Sequence, residues 1–144
     1  MRLSPSNSYH KKNTRNILTI DQMVQLSKLG LADIKERNSH RIMGYGVEEL
    51  LQILPACIVV DGNMYVLRVY KTAFDVIAVG YKNPKEGGKY LYSKCCDDIT
   101  NEDNPNQSGH LIDVLFDILI FVNSQYPQEL EEFKNKLNHY VKSL

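Results

Sequence analysis

Apolar positions recur along this chain with two different periods, and the change of period divides it. Ile20, Met23, Val24, Leu26, Leu31 and Ile34 fall at helical spacing. Thr19-Ile20-Asp21-Gln22 reads as a capping box in front of them, with Thr19 at N-cap and Gln22 at N3. Gly30 is placed to stop or kink that helix. Residues 35–46 are polar and end in Gly44-Tyr45-Gly46; Val47 to Leu54 then makes a short helix that Pro55 ends.

The middle third changes to strand character. Ala56 to Val60 is a short apolar run, and Asp61-Gly62-Asn63 is a hairpin turn built from residues that tolerate positive φ. Met64 to Lys71 and Phe74 to Tyr81 are β-branched, aromatic and partly alternating, and Lys89 to Lys94 makes a fourth short strand. All the connections are too short for crossover helices, so the sheet is expected to be an antiparallel meander.

Helical spacing returns after a polar loop over residues 95–109. Ser108 is placed to cap a helix from about Gly109 to Ser124, whose broad apolar set (Leu111, Ile112, Leu115, Ile118, Leu119, Val122) marks it as the central helix. Tyr126-Pro127 opens a last helix with Pro at N1. Its stripe is Leu130, Phe133, Leu137, Val141 and Leu144, with Glu129, Glu131 and Glu132 in its first turn and Lys142 in its last. The predicted architecture is α+β. N-terminal helices lead into a four-stranded antiparallel β-meander, and two C-terminal helices pack on one sheet face. Residues 1–16 (MRLSPSNSYHKKNTRN) bury too little to order themselves and read as a flexible basic arm, with 17–144 as a single domain.

Composition changes this picture little, and charge more. The 144 residues suit one domain with a real core. Cys57, Cys95 and Cys96 make an odd set of thiols that fits a reducing compartment, with Cys57 expected in the core. The start of the chain has no apolar stretch of signal-peptide type, and the best apolar run, Leu111 to Val122, is too short to span a membrane and holds two Asp. A cytoplasmic protein is expected, or a virion component if the source is a phage; the Asn/Lys/Ile/Tyr-rich usage would suit an AT-rich bacterial or phage genome. Seventeen bases balance seventeen acids overall. Resolved along the chain, residues 1–41 carry eight bases and three acids, residues 42–144 nine bases and fourteen acids, and Cys95 to Glu132 nine acids with no Lys or Arg. A basic arm holding Arg2, Lys11, Lys12 and Arg15 on an acidic body suits contact between copies, or steering toward an anionic partner. A solvated tail and a solvated acidic face would look the same.

Candidate chemistry is sparse. His110, Asp113 and Asp117 share a helix face at i, i+3 and i+7, which could hold a divalent metal or a general base, though no further ligand is spaced to complete a site. The ordinary reading is the polar side of an amphipathic helix. Cys95-Cys96-Asp97-Asp98 lacks the separated cysteine pairs of a zinc site, and the Asp/Asn loop after it lacks the ligand alternation of a calcium loop. Gly44-Tyr45-Gly46 and Gly87-Gly88-Lys89 lack the rest of any nucleotide fingerprint. Tyr65, Tyr70, Tyr81, Tyr90 and Tyr92 all fall in strands. Period two puts Tyr70 with Arg68, and Tyr90 with Tyr92, so an uncovered sheet face carrying Arg68, Tyr70, Tyr90 and Tyr92 would resemble a protein-contact surface. Equally, Tyr is simply a good strand former.

The expectation is therefore a non-enzymatic interaction or assembly protein without a cofactor. Its partners would be protein, as a homo-oligomer or larger assembly, with a phage virion or accessory component as one form. A small metal-dependent enzyme using His110, Asp113 and Asp117, or a nucleic-acid binder using the basic arm, are the alternatives.

Overall fold

A computed structural model describes residues 15–34, 44–85, 87–101 and 104–143. Helix α1 spans Ile20–Lys28 and α2 spans Val47–Ile53; strands β1 to β4 are Cys57–Val60, Asn63–Lys71, Ile77–Lys82 and Tyr90–Cys95. Helices α3, Leu111–Gln125, and α4, Glu131–Ser143, follow. The four strands form one curled antiparallel sheet in the order β1-β2-β3-β4. No described helix is long and apolar enough to cross a membrane.

The capping box is formed. Gln22 N–H donates to Thr19 Oγ1 at 3.1 Å and Thr19 N–H donates to Gln22 Oε1 at 2.9 Å, which satisfies two orphan donors. Gly30 follows α1 with φ +76°, a left-handed stop. Val60 pairs with Asn63 across a two-residue turn whose Asp61 and Gly62 have φ 51° and 81°. Positive φ at both turn positions matches the twist of the flanking strands.

Three boundaries differ from the sequence pattern, the last helix beginning at Glu131 rather than Pro127 and two others as follows. β3 begins at Ile77 rather than Phe74. Thr72 Oγ1 accepts from the N–H groups of Phe74 and Val76, and Asp75 turns to φ 65°, so a tight turn takes the first three residues of the expected strand. Phe74 is left 88 % exposed. Ser108 does not cap α3. It forms a bridge with Thr100, and its hydroxyl donates to Asp97, so His110 becomes the N-cap residue. The preceding Gly109 lies tight against Ile99 and donates its N–H to the Cys96 carbonyl, which leaves no room for a helical turn to begin there.

The core lies between the sheet and α3. Ile112, Val114, Leu115, Ile118, Leu119 and Val122 are fully buried and meet Ile58, Val79 and Tyr81 of the sheet and Leu50 and Ile53 of α2 in one cluster. α3 packs on β3 and β4. Leu18, Met23, Leu26 and Leu31 bring α1 and its flanks into the same cluster. The Tyr81 hydroxyl donates to Pro55 O at 2.7 Å and so ties β3 to the link between α2 and β1. A 3-10 turn over Pro127–Leu130 precedes α4, and Leu130 is buried. α4 itself has no buried residue among those described; Phe133, Leu137 and Val141 are half-covered. Cys57 is half-buried beside the core residue Ile58, and Cys95 and Cys96 stand at the end of β4. All three described cysteines are free thiols.

Candidate functional site

The side of the sheet opposite α3 carries the residues of interest. The ladders align Arg68 with Gly80 and Ser93, Tyr70 with Ala78 and Cys95, and Val66 with Lys82, which faces Tyr90. The centre of this face is small, Ala78 and Gly80, and larger side chains lean into the gap. A Cβ on Gly80 would lie 3.0 Å from Tyr90 Cδ1 and 2.7 Å from Ser93 Cβ. Only glycine lets the Tyr90 ring lie there. It stacks on Tyr70 with centroids 5.6 Å apart and planes 25° apart. The Lys82 ammonium stands 5.6 Å from the Tyr90 centroid, within cation–π range. Burial is the main cause that pushes the Tyr90 phenol up to about 12, with the Tyr70 hydroxyl bond adding and Arg68 opposing. Arg68, Tyr70 and Tyr90 are thus together, as their strand positions suggested.

Tyr92 is not with them. The register shifts by one residue between Tyr81 and Lys82, so Tyr81 faces Tyr92 while Lys82 faces Tyr90. Leu91 is the extra residue, and the bulge sends Tyr90 and Tyr92 to opposite faces. Tyr92 lies on the helix side, where its hydroxyl donates to Asp117 Oδ2 at 2.7 Å and its ring stacks on Phe121 at 4.0 Å. Burial first, and the Asp117 bond second, push its phenol up to about 12. Tyr92 is a half-buried strut between β4 and α3, apart from the Arg68, Tyr70 and Tyr90 group.

In its place the structure adds cations. Between Asn63 and Lys94 the sequence has six Lys or Arg against Asp75 and Glu86. A groove of about 510 Å³ is lined by Arg68, Lys82, Pro84, Lys85, Gly87 and Gly88. Among the described residues, Lys71 pairs with Asp75 and Lys94 with Asp117, but Arg68, Lys82 and Lys85 have no ion-pair partner. Lys82 and Lys85 had no strong sequence signal. Their link to Arg68 depends on the β2–β3 register and the conformation of the loop after β3.

The His/Asp helix face does not converge. Asp113 is buried and pairs with Arg15 through Oδ1 at 2.5 Å, while Gln22 Nε2 donates to the same oxygen at 2.9 Å. His110 Nδ1 accepts from Arg15 N–H at 3.3 Å. Asp117 turns away to Tyr92 and Lys94. Among the described residues no three His, Cys, Asp or Glu side chains gather to hold a metal ion. The Cys96 thiol is pushed up to about 11, chiefly by burial, which holds it protonated at neutral pH and makes it a poor nucleophile.

Arg15 also revises the arm. It donates to Ile17 O and Gln22 Oε1 as well as to Asp113, so the last basic residue of the expected flexible segment is part of the folded body. Arg2, Lys11 and Lys12 lie outside the described residues. The acidic stretch is partly engaged internally: Asp113 by Arg15, Asp117 by Tyr92, Asp97 by Ser108, and Asp98 by the Cys95 N–H.

No protein-family model matches this chain, and neither a curated protein nor a solved structure shows a significant similarity to it.

Proposed function

We propose that this chain is a non-enzymatic interaction protein that binds an acidic protein surface through the open face of its sheet, in assemblies that include further copies of itself. One observation carries the reading: Arg68, Tyr70, Lys82 and Tyr90 stand together on the side of the sheet away from α3. Tyr and Arg are enriched at the energetic centres of protein interfaces, because a phenol ring and a planar guanidinium each offer a broad, flat contact with polar groups. Val59 and Met64 add exposed apolar surface to the same side. Exposed Glu131 on a second copy supplies an acid of the kind this face would meet. Binding is favoured over catalysis because the ionisable groups of the α3 face are tied to separate partners and the buried thiol is held protonated.

Sedimentation velocity over a wide concentration range, at low and high salt, tests the proposal. Association at low salt should weaken as salt rises, and Arg68→Glu with Lys82→Glu should abolish it. A monomer under every condition, with no salt-sensitive complex with an acidic protein partner, would dispose of it.

A further inference from the structure

The loop that follows β3 does more than join two strands. Asn83 is buried, its Oδ1 accepts from Lys85 N–H at 2.8 Å, and its own N–H donates to Lys89 O at 2.7 Å, so the base of the loop is braced. Gly87 and Gly88 both take positive φ, 61° and 75°. A Cβ on Gly88 would sit 2.6 Å from Lys82 Cε and 3.2 Å from Lys82 Nζ. The Lys82 stem therefore lies in a slot that only glycine leaves free, between the loop backbone and the Tyr90 ring. Its ammonium is positioned before any ligand arrives, which removes part of the ordering cost of binding.

Three cations line this one groove without a counter-charge among the described residues. An anion entering the groove meets all three positive charges at once. Pro84, Gly87 and Gly88 complete the lining and present no large apolar wall, which disfavours a greasy ligand. The guanidinium of Arg68 offers the forked donors that suit two oxygens of one phosphate, and Lys82 and Lys85 act as point charges beside it. A groove of about 510 Å³ admits a molecule of nucleotide size.

From this we infer that the groove between β2 and the β3–β4 loop is a binding site for a phosphate group, with Arg68, Lys82 and Lys85 as its ligands. The inference does not rest on the assembly reading, because it concerns a groove within one copy. The phosphate could be free or carried on a lipid headgroup, and the test separates the two.

The test follows backbone amide resonances of dilute, full-length protein at low salt during titration with pyrophosphate. Saturable shifts at Gly87, Gly88 and Lys85 are expected. Affinity should fall at least tenfold in Arg68→Gln and in Lys82→Gln, both of which remove the charge and keep a polar side chain. A Gly88→Ala variant should also bind more weakly, because its methyl group displaces Lys82. Co-sedimentation with phosphatidylcholine vesicles containing a phosphoinositide, competed by pyrophosphate, would assign the source to a lipid; pyrophosphate binding without co-sedimentation would assign it to a soluble phosphate. Citrate binding as tightly as pyrophosphate would overturn phosphate recognition. So would an absence of shifts at millimolar pyrophosphate, or equal affinity in both charge-removing variants. Because the measurement is made on the monomer, its failure leaves association in sedimentation velocity unaffected, and failure of association leaves these shifts unaffected.

Discussion

Tyr81 shows how much one buried phenol controls. Its ring is fully buried, its hydroxyl is bonded to Pro55 O, and desolvation raises its pKa above the ordinary tyrosine value, with the Glu129 and Cys57 charges adding. The native state therefore keeps a proton that the unfolded chain loses near its ordinary pKa of about 10. This contribution is fully present below that value and is lost as pH rises above it. Each such phenol costs about 1.4 kcal/mol per pH unit in that window. Tyr90 and Tyr92, both pushed up to about 12, steepen the same fall. Urea unfolding should show stability declining above about pH 10. Tyr81→Phe should cost about 1 kcal/mol at neutral pH, through the lost hydrogen bond, and decline less steeply in alkali. Equal alkaline slopes for the two proteins would contradict this account. Tyr81 stood in the sequence as one of five strand tyrosines. Its role was hidden because a hydroxyl's partner 26 residues away leaves no periodic mark.

At the scale of elements, legibility tracked locality. The α1 cap, the α2 stop at Pro55 and the Asp61-Gly62 turn are decided by neighbouring residues, and each was readable in the sequence. The bulge at Leu91 was not, because it is a relation between two strands. That one extra residue moved Tyr92 from the expected contact surface to the core side. The two C-terminal helices show the same limit. Both carry an apolar stripe, yet Leu119 of α3 is fully buried while Leu137 of α4 is only half-covered. A stripe says which way a helix could face, and packing partners decide whether it does. Leu119→Ala should cost about 3 kcal/mol in chemical denaturation. Leu137→Ala should cost less than about 1 kcal/mol. Comparable losses at the two positions would mean that α4 is as firmly packed as α3.

For the whole molecule, zero net charge conceals a division that the sequence showed only in part. The opposite charge of residues 1–41 and 42–144 was legible as a count along the chain. The further concentration of cations on one sheet face was not, because Arg68 and Lys82 are brought together by strand pairing. Arg15, two residues before the expected start of the domain, also belongs to the folded body. Two truncations measure the shift. A chain starting at Arg15 keeps the cation for Asp113, and one starting at Ile17 leaves that carboxylate buried without it. The second should be less stable than the first by about 3 kcal/mol in thermal or urea unfolding, the usual cost of stripping one member from a buried pair. Equal stabilities would reduce Arg15 to a surface residue.

The strand order has a kinetic consequence. In a meander every strand pairs with its neighbour in sequence, so each ladder closes over a short loop and little chain entropy is lost before contacts form. The sheet can zip from the Asp61-Gly62 turn outward as the chain leaves the ribosome. The helix that covers its apolar side, α3, is made after all four strands. During synthesis there is thus an interval in which Ile58, Val79 and Tyr81 are in place but uncovered. In that interval a nascent chain is most exposed to pairing with another through its bare sheet, and it closes only when Leu111 to Val122 arrive.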